Sequence, residues 1–290
     1  MDTTTITLPK SSTQIRLECP QPIAAKTPIE SILRFPAFKQ WLELLDIQVT
    51  RAETRKAADH ADVRHSKVVV DKITIQSVDE FRSGKIGFLK FIADATHFPE
   101  EKKVPGVVFL RGGAVAMLLI LRTPSSLVYQ QKQPVASFDD TDYVVLTEQP
   151  RLPVPDFSLC ELPAGMLDDS TGEFSGTAAR EIQEETGLVV RPEDLIDLTP
   201  PDSEVAGSSG GLRGLYPSAG GCDEFIRLFA CEKRVSEDEL SQLRGKLSGL
   251  RNDGEFITLR LVRLCDLWKQ CRDMNATAAA YLWDRHISNR

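Results

Sequence analysis

No run in the sequence approaches the roughly 18 consecutive apolar residues that a membrane-spanning helix needs, so no membrane partner is expected. Cysteine is scattered: Cys19, Cys160, Cys222, Cys231, Cys265 and Cys271 include no Cys-x-x-Cys pair. That pattern argues against a zinc site and for reduced thiols inside a cell. Histidine is sparse as well. His60 and His65 lie in a charged segment, 51–67, with nothing nearby to complete a metal site. Basic charge is in deficit, with 35 Lys and Arg against 42 Asp and Glu and a net charge of −7. A phosphate backbone calls for a basic surface, so no nucleic-acid partner is expected. The start Met1-Asp2-Thr3-Thr4-Thr5 lacks the basic and apolar blocks of a secretory signal, and arginine is sparse in the first 30 residues, against a transit peptide. The expectation is an intracellular, cytoplasmic protein, with an organelle left open.

What remains is an ordinary globular composition, 41% apolar and 27% charged, over 290 residues, enough for one large or two modest domains. Residues 1–25 carry Thr, Ser and Pro without periodicity and are expected to form a flexible tail. Pro28 opens a short helical stretch, and Phe38, Trp41, Leu42, Leu44 and Leu45 recur at helical spacing. Residues 68–75 and 86–92 read as strands, so 26–104 is expected to be a small α+β domain. Pro105-Gly106 marks the boundary to a main domain, 105–290. There, 107–110, 114–121, 143–147, 157–162, 225–230 and 256–262 read as strands, and 236–250, 266–272 and 276–287 as helices. Residues 138–142 look like a hairpin tip. The Gly- and Pro-rich stretch 200–221 is long enough to suggest a functional loop.

The segment of greatest chemical interest runs from Glu161-Leu162-Pro163-Ala164-Gly165 through Arg180-Glu181-Ile182-Gln183-Glu184-Glu185-Thr186-Gly187-Leu188. Ala178, Ala179, Ile182 and Leu188 fall on one helical face, with Thr177 as a cap and Gly187 as the stop. Glu181 and Glu185 then lie one turn apart, with Glu184 beside them. Like charges at that spacing cost roughly 0.2–0.5 kcal/mol per pair, and carboxylates at a helix C-terminus oppose the macrodipole. A hard divalent cation would remove the conflict, since Mg²⁺ takes one or two carboxylates together with substrate phosphate oxygens. Arg180 is placed to pair with a neighbouring acid. A solvated acidic face is the bland alternative.

Arg180 to Leu188 resembles the second half of the Nudix box, with every defined position filled. The first half differs: Arg180 stands 15 positions after Gly165, one more than the pattern, which leaves the role of Glu173 open. Glu161 to Asp169, Gly87-Phe88-Leu89-Lys90-Phe91, Val107 to Gly112 and Tyr216-Pro217-Ser218-Ala219-Gly220-Gly221-Cys222-Asp223-Glu224 resemble the plant-type ADP-sugar diphosphatases of that superfamily. The resemblance implies an α+β protein, a Nudix α/β/α sandwich preceded by a smaller α+β domain that serves dimerisation. It implies hydrolysis of the diphosphate of ADP-ribose or ADP-glucose to AMP and a sugar phosphate, with Mg²⁺, or Mn²⁺ in its place. Glu181 and Glu185 would be metal ligands, Glu184 a ligand or an orienting group, and the Ala164 carbonyl a further donor. Arg180 and Glu184 would also serve catalysis. Glu224 would be the general base, with Glu204 and Glu255 as alternatives, and Arg151 and Arg111 would contact the substrate. A homodimer is implied too. Two other readings stay open: a non-catalytic nucleotide-sugar sensor and a Nudix-type isoprenoid diphosphate isomerase.

Overall fold

The computed structural model describes residues 1–58, 67–81, 84–124, 142–167, 174–199, 214–249 and 256–288. The chain forms two compact units: Met1–Gly113 with Tyr216–Phe225, and Ala114 onward without that returning segment.

The first unit begins with β1 (Asp2–Thr7) and β2 (Gln14–Cys19), an antiparallel hairpin pairing Ile6 with Ile15. A flexible tail over 1–25 is therefore corrected. Ile15, Leu17 and Cys19 alternate along β2 and are fully buried, with Leu8 in the turn beside them, so this stretch supplies core. The turn is also tied down by charge. Asp46, buried on a helix 35 residues on, accepts the Lys10 N–H at 2.7 Å and the Ser11 N–H at 2.9 Å. Burial pushes its carboxyl up, but those N–H donors prevail and hold it below the usual range.

Next come α1 (Gln21–Ala24), α2 (Ile29–Arg34), α3 (Pro36–Ala58), β3 (Lys67–Glu80), β4 (Ile86–Phe98), β5 (Lys102–Val104) and β6 (Val107–Leu110). The sheet order is β1-β2-β3-β4-β5, with β6 also on β4. Phe38 and Trp41 of α3 meet Phe91 of β4 edge-on, centroids 5.6 and 5.0 Å apart, with Phe38 and Phe91 fully buried and Trp41 partly so. His60 and His65 lie outside the described residues. The boundary expected at Pro105 falls instead after Gly113. Leu89 pairs with Leu110, and the Ala93 N–H donates to the Gly106 carbonyl at 2.8 Å. A Cβ on Gly106 would overlap the Ala93 carbonyl, so glycine permits the approach.

The second unit contains β7 (Ala114–Arg122), β8 (Tyr143–Arg151), β9 (Asp156–Glu161), β10 (Ala164–Met166), α4 (Phe174–Thr186), β11 (Ile196–Asp197), β12 (Ile226–Arg234), α5 (Glu237–Leu243), β13 (Leu247–Ser248), β14 (Ile257–Arg263), α6 (Leu267–Gln270) and α7 (Met274–Ser288). The mixed sheet runs β11-β12-β7-β8-β14-β13, with β9 on β8 and β10 on β7. The alternation of β7 decides the layering. Ala116, Leu118 and Ile120 face a core shared with Leu267, Ala276, Ala279 and Trp283. Met117, Leu119 and Leu121 face Ala178 and Ile182 of α4 and Leu240 and Leu243 of α5. A sheet buried on both faces reads as continuous apolar sequence, and β7 does. The unit is the α/β/α sandwich of the α+β class expected.

Two helix expectations change. The helix read over 236–250 starts with a capping box, in which Ser236 Oγ accepts the Glu239 N–H at 3.2 Å. It stops at Leu243, because Gly245 takes φ +71° and releases the chain into β13. In place of the helix read over 266–272, a 3₁₀ turn, Leu264–Asp266, leads into the single turn of α6, which ends at Gln270. The hairpin tip at 138–142 falls almost wholly among residues that are not described.

Candidate active site

The acidic site is assembled by β9, β10 and α4, all in the second unit. β9 ends with Glu161 paired to Thr147 of β8, and β10 begins with Ala164 paired to Ala116 of β7. α4 packs against β10 through the face carrying Glu181 and Glu185. Glu185 is buried, and its Oε2 accepts the Ala164 N–H at 3.1 Å. Glu181 lies against the next residue: a Cβ on Gly165 would overlap its Cγ, Cδ and Oε1. The i,i+4 spacing thus brings two carboxylates onto one short strand.

Arg180 handles the repulsion. Its Nη2 meets Glu181 Oε1 and its Nη1 meets Glu184 Oε2, each at 3.1 Å. The C-terminus of α4 also finds the cation that the macrodipole favours, since Lys246 Nζ donates to the Thr186 carbonyl at 3.3 Å. Ser248 Oγ donates to the Glu185 carbonyl. Gly187 ends the helix as expected, at φ +74°, its N–H donating to the Gln183 carbonyl at 2.9 Å. Thr177 is not the cap: the helix begins three residues earlier at Phe174, and Thr177 is buried within it.

Among the described residues no three His, Cys, Asp or Glu side chains converge closely enough to enclose a metal ion by themselves. The donor set nevertheless fits a hard cation. Glu181 and Glu185 present oxygen ligands around the Ala164-Gly165 backbone, and Mg²⁺ asks only one or two carboxylates of a protein when phosphate oxygens complete the sphere.

Arg151, at the end of β8, donates through Nε to Glu161 Oε2 at 2.6 Å, so its guanidinium is held beside the strand that leads into the site. Arg111 and Glu224 belong to the first unit, where Arg111 Nη1 stands 3.3 Å from Glu224 Oε1. Asp223 clamps the same turn, accepting the Arg111 N–H at 2.8 Å and the Gly112 N–H at 3.1 Å. Burial pushes the Asp223 carboxyl up despite these donors. Glu204, Glu255 and Glu173 lie outside the described residues. Sequence reasoning missed Lys246, Ser248 and Asp273, the last of which accepts the Leu162 N–H at 3.1 Å. These contacts join residues 60, 63 and 111 positions apart, and no local pattern signals them.

The NUDIX domain family model matches residues 129–282. Nudix hydrolase 14, chloroplastic, of Arabidopsis thaliana is 39% identical over 247 residues, which cover 85% of this chain and 69% of that protein. The crystal structure of an ADP compounds hydrolase aligns with 76% of this chain and 97% of its own, at 14% identity and a TM-score of 0.43. The family match and the Arabidopsis relative, joined to the acidic helix and its strand, define an enzyme of the hydrolase class. The chain belongs to the NUDIX domain family.

Proposed function

We propose that this Nudix hydrolase cleaves the diphosphate of ADP-sugars, ADP-ribose or ADP-glucose, to AMP and a sugar phosphate with Mg²⁺, Mn²⁺ serving in its place. The observation that carries the reading is the approach of Glu181 and Glu185 to Ala164 and Gly165. When bound there, the cation would screen the phosphoryl oxygens and acidify the attacking water. The chain supplies position and charge, which is most of what phosphoryl transfer needs. Glu181 and Glu185 would hold the cation with the Ala164 carbonyl, and Arg180 keeps Glu181 and Glu184 aimed. Arg151 and Arg111 offer the bidentate donors that a diphosphate favours. Glu224 takes the general base's part, on the strength of the 216–224 resemblance, which also supports the choice of ADP-sugars. The chloroplast in the Arabidopsis relative's name adds an organelle to the cytoplasm as a compartment for this activity.

The test offers ADP-ribose, ADP-glucose and a UDP-sugar to the purified protein with Mg²⁺, beside Glu185→Gln. AMP is expected from the ADP-sugars, with kcat at least about 10²-fold lower in the variant, the equivalent of roughly 2.7 kcal/mol of lost transition-state stabilisation. Full turnover by Glu185→Gln would overturn the metal assignment. Binding of ADP-ribose without any turnover would make the protein a sensor.

A further inference from the structure

We propose that Asp273 is a positioning residue for the cation site, fixing the strand that carries Ala164 and Gly165 against α4; this rests on reading Glu181, Glu185 and Ala164 as the ligands. Between Glu161 and Ala164 the chain exchanges one sheet neighbour, β8, for another, β7, and the two intervening residues have no ladder of their own. Pro163 has no N–H, and its carbonyl accepts the Met117 N–H at 2.9 Å. The Leu162 N–H is left without a strand to receive it, and a buried orphan donor is costly. Asp273 Oδ2 takes that N–H at 3.1 Å.

The other oxygen of the same carboxylate, Oδ1, accepts the Asn275 N–H at 2.9 Å, in the first turn of α7. Asp273 therefore caps a helix with one oxygen and holds the site's strand with the other. A second thread runs parallel, since Cys271 Sγ donates to the Cys160 carbonyl at 3.1 Å. The Leu162 side chain is buried in the cluster that holds Leu267, Cys271, Ala276 and Trp283, so packing and hydrogen bonding fix the same point. Burial pushes the Asp273 carboxyl above its ordinary range despite its N–H donors. What it holds lies two residues, roughly 6–7 Å of extended chain, before the Ala164 N–H that Glu185 accepts. Supports of this kind, outside the ligands themselves, set how precisely ligands are presented.

The two oxygens can be separated by mutation. Asp273→Ser keeps an acceptor suited to capping α7, but one hydroxyl oxygen cannot also reach Leu162. Asp273→Ala removes both bonds. Mn²⁺ affinity is measured by electron paramagnetic resonance on the full chain without substrate, alongside melting temperature and the Mg²⁺ dependence of kcat. Asp273→Ser is expected to melt close to wild type yet bind Mn²⁺ about tenfold more weakly, the lower end of what loss of such a support costs. Its KM for substrate at saturating Mg²⁺ should stay within about twofold. Asp273→Ala should lose melting temperature as well. Wild-type Mn²⁺ affinity in Asp273→Ser overturns the proposal. If that variant does not fold, Asp273→Asn, of equal size but with one acceptor oxygen, is read in the same way. Glu185→Gln separates the two failures. Unchanged Mn²⁺ binding in Glu185→Gln removes the site reading itself, whereas loss there with none in Asp273→Ser removes only the part given to Asp273.

Discussion

Replacing Gly165 with alanine adds one methyl group at the point where β10 meets α4. The backbone at Gly165 is not in the left-handed region, so alanine can adopt it, and the effect of the substitution is steric. The new Cβ would fall on the Glu181 Cγ, Cδ and Oε1, closer than any real Cβ approaches a neighbour. Relief to ordinary contact moves the Glu181 carboxyl or the strand by more than about 1 Å, an overpacking strain of about 1–3 kcal/mol. The side chain of Glu181 is 14% exposed, so it has limited room to turn away, and turning away breaks its contact with Arg180. Ligand geometry tolerates about 0.2 Å, and a misplacement of about 1 Å can cost 10²-fold in rate. Gly165→Ala is therefore expected to lower kcat by about 10²-fold and to raise the Mg²⁺ concentration for half-activation, while the melting temperature falls by several degrees at most. A Mg²⁺ titration of AMP release, with a thermal melt of the same preparation, reads both. Wild-type kcat and Mg²⁺ dependence in Gly165→Ala would refute the placement of Glu181 on that strand.

Two further outcomes are expected. Deleting residues 1–19 removes Leu8, Ile15 and Leu17, each at most 1% exposed; at about 2–5 kcal/mol for each large buried side chain, the loss rivals a domain's whole stability of about 5–15 kcal/mol. The truncated chain should lose first-unit protection from proteolysis, and unchanged protection would show that these strands are dispensable. Burial pushes the thiols of Cys231 and Cys271 up to about 11, from 9.0. The native state keeps protons that the unfolded chain releases near pH 9, so this stability is intact below pH 9 and is lost as pH rises toward 11, by about 2–3 kcal/mol per thiol. Urea midpoints should fall over pH 9–10.5, and should fall less in Cys231→Ala; an equal fall in that variant would contradict the shift.

The acidic helix was legible because its signals are local: apolar residues at helical spacing, a terminating glycine, and three carboxylates that local stability alone would not choose. The sandwich was implied by the resemblance and not by spacing, although the unbroken apolar run of β7 is what a strand covered on both faces carries. The N-terminal hairpin was missed although Ile15, Leu17 and Cys19 alternate as a half-buried strand should, because the threonines of β1 bring one apolar residue, Ile6, to the pairing. Asp46 and Asp273 could not have been found. Each reaches backbone N–H groups far along the chain, Asp46 those of Lys10 and Ser11 and Asp273 that of Leu162, 35 to 111 residues away, and backbone donors leave no trace in composition. The end of α5 was misjudged for a nearer reason, since Gly245 gave a stop signal of the same kind as Gly187.

The return of Tyr216–Phe225 to the first unit makes the two units inseparable as genetic pieces. Among the described residues, the chain leaves the first unit after Gly113, belongs to it again over Tyr216–Phe225 and departs after Phe225, so no single cut frees either body. A gene fragment ending at Gly113 would lack Asp223, and with it the acceptor for the Arg111 and Gly112 N–H groups. A fragment starting at Ala114 would carry residues 216–225, which belong to the first unit. Shuffling one unit onto a different partner would need a second, matched exchange within the later segment. Recombination should thus pass the pair on together.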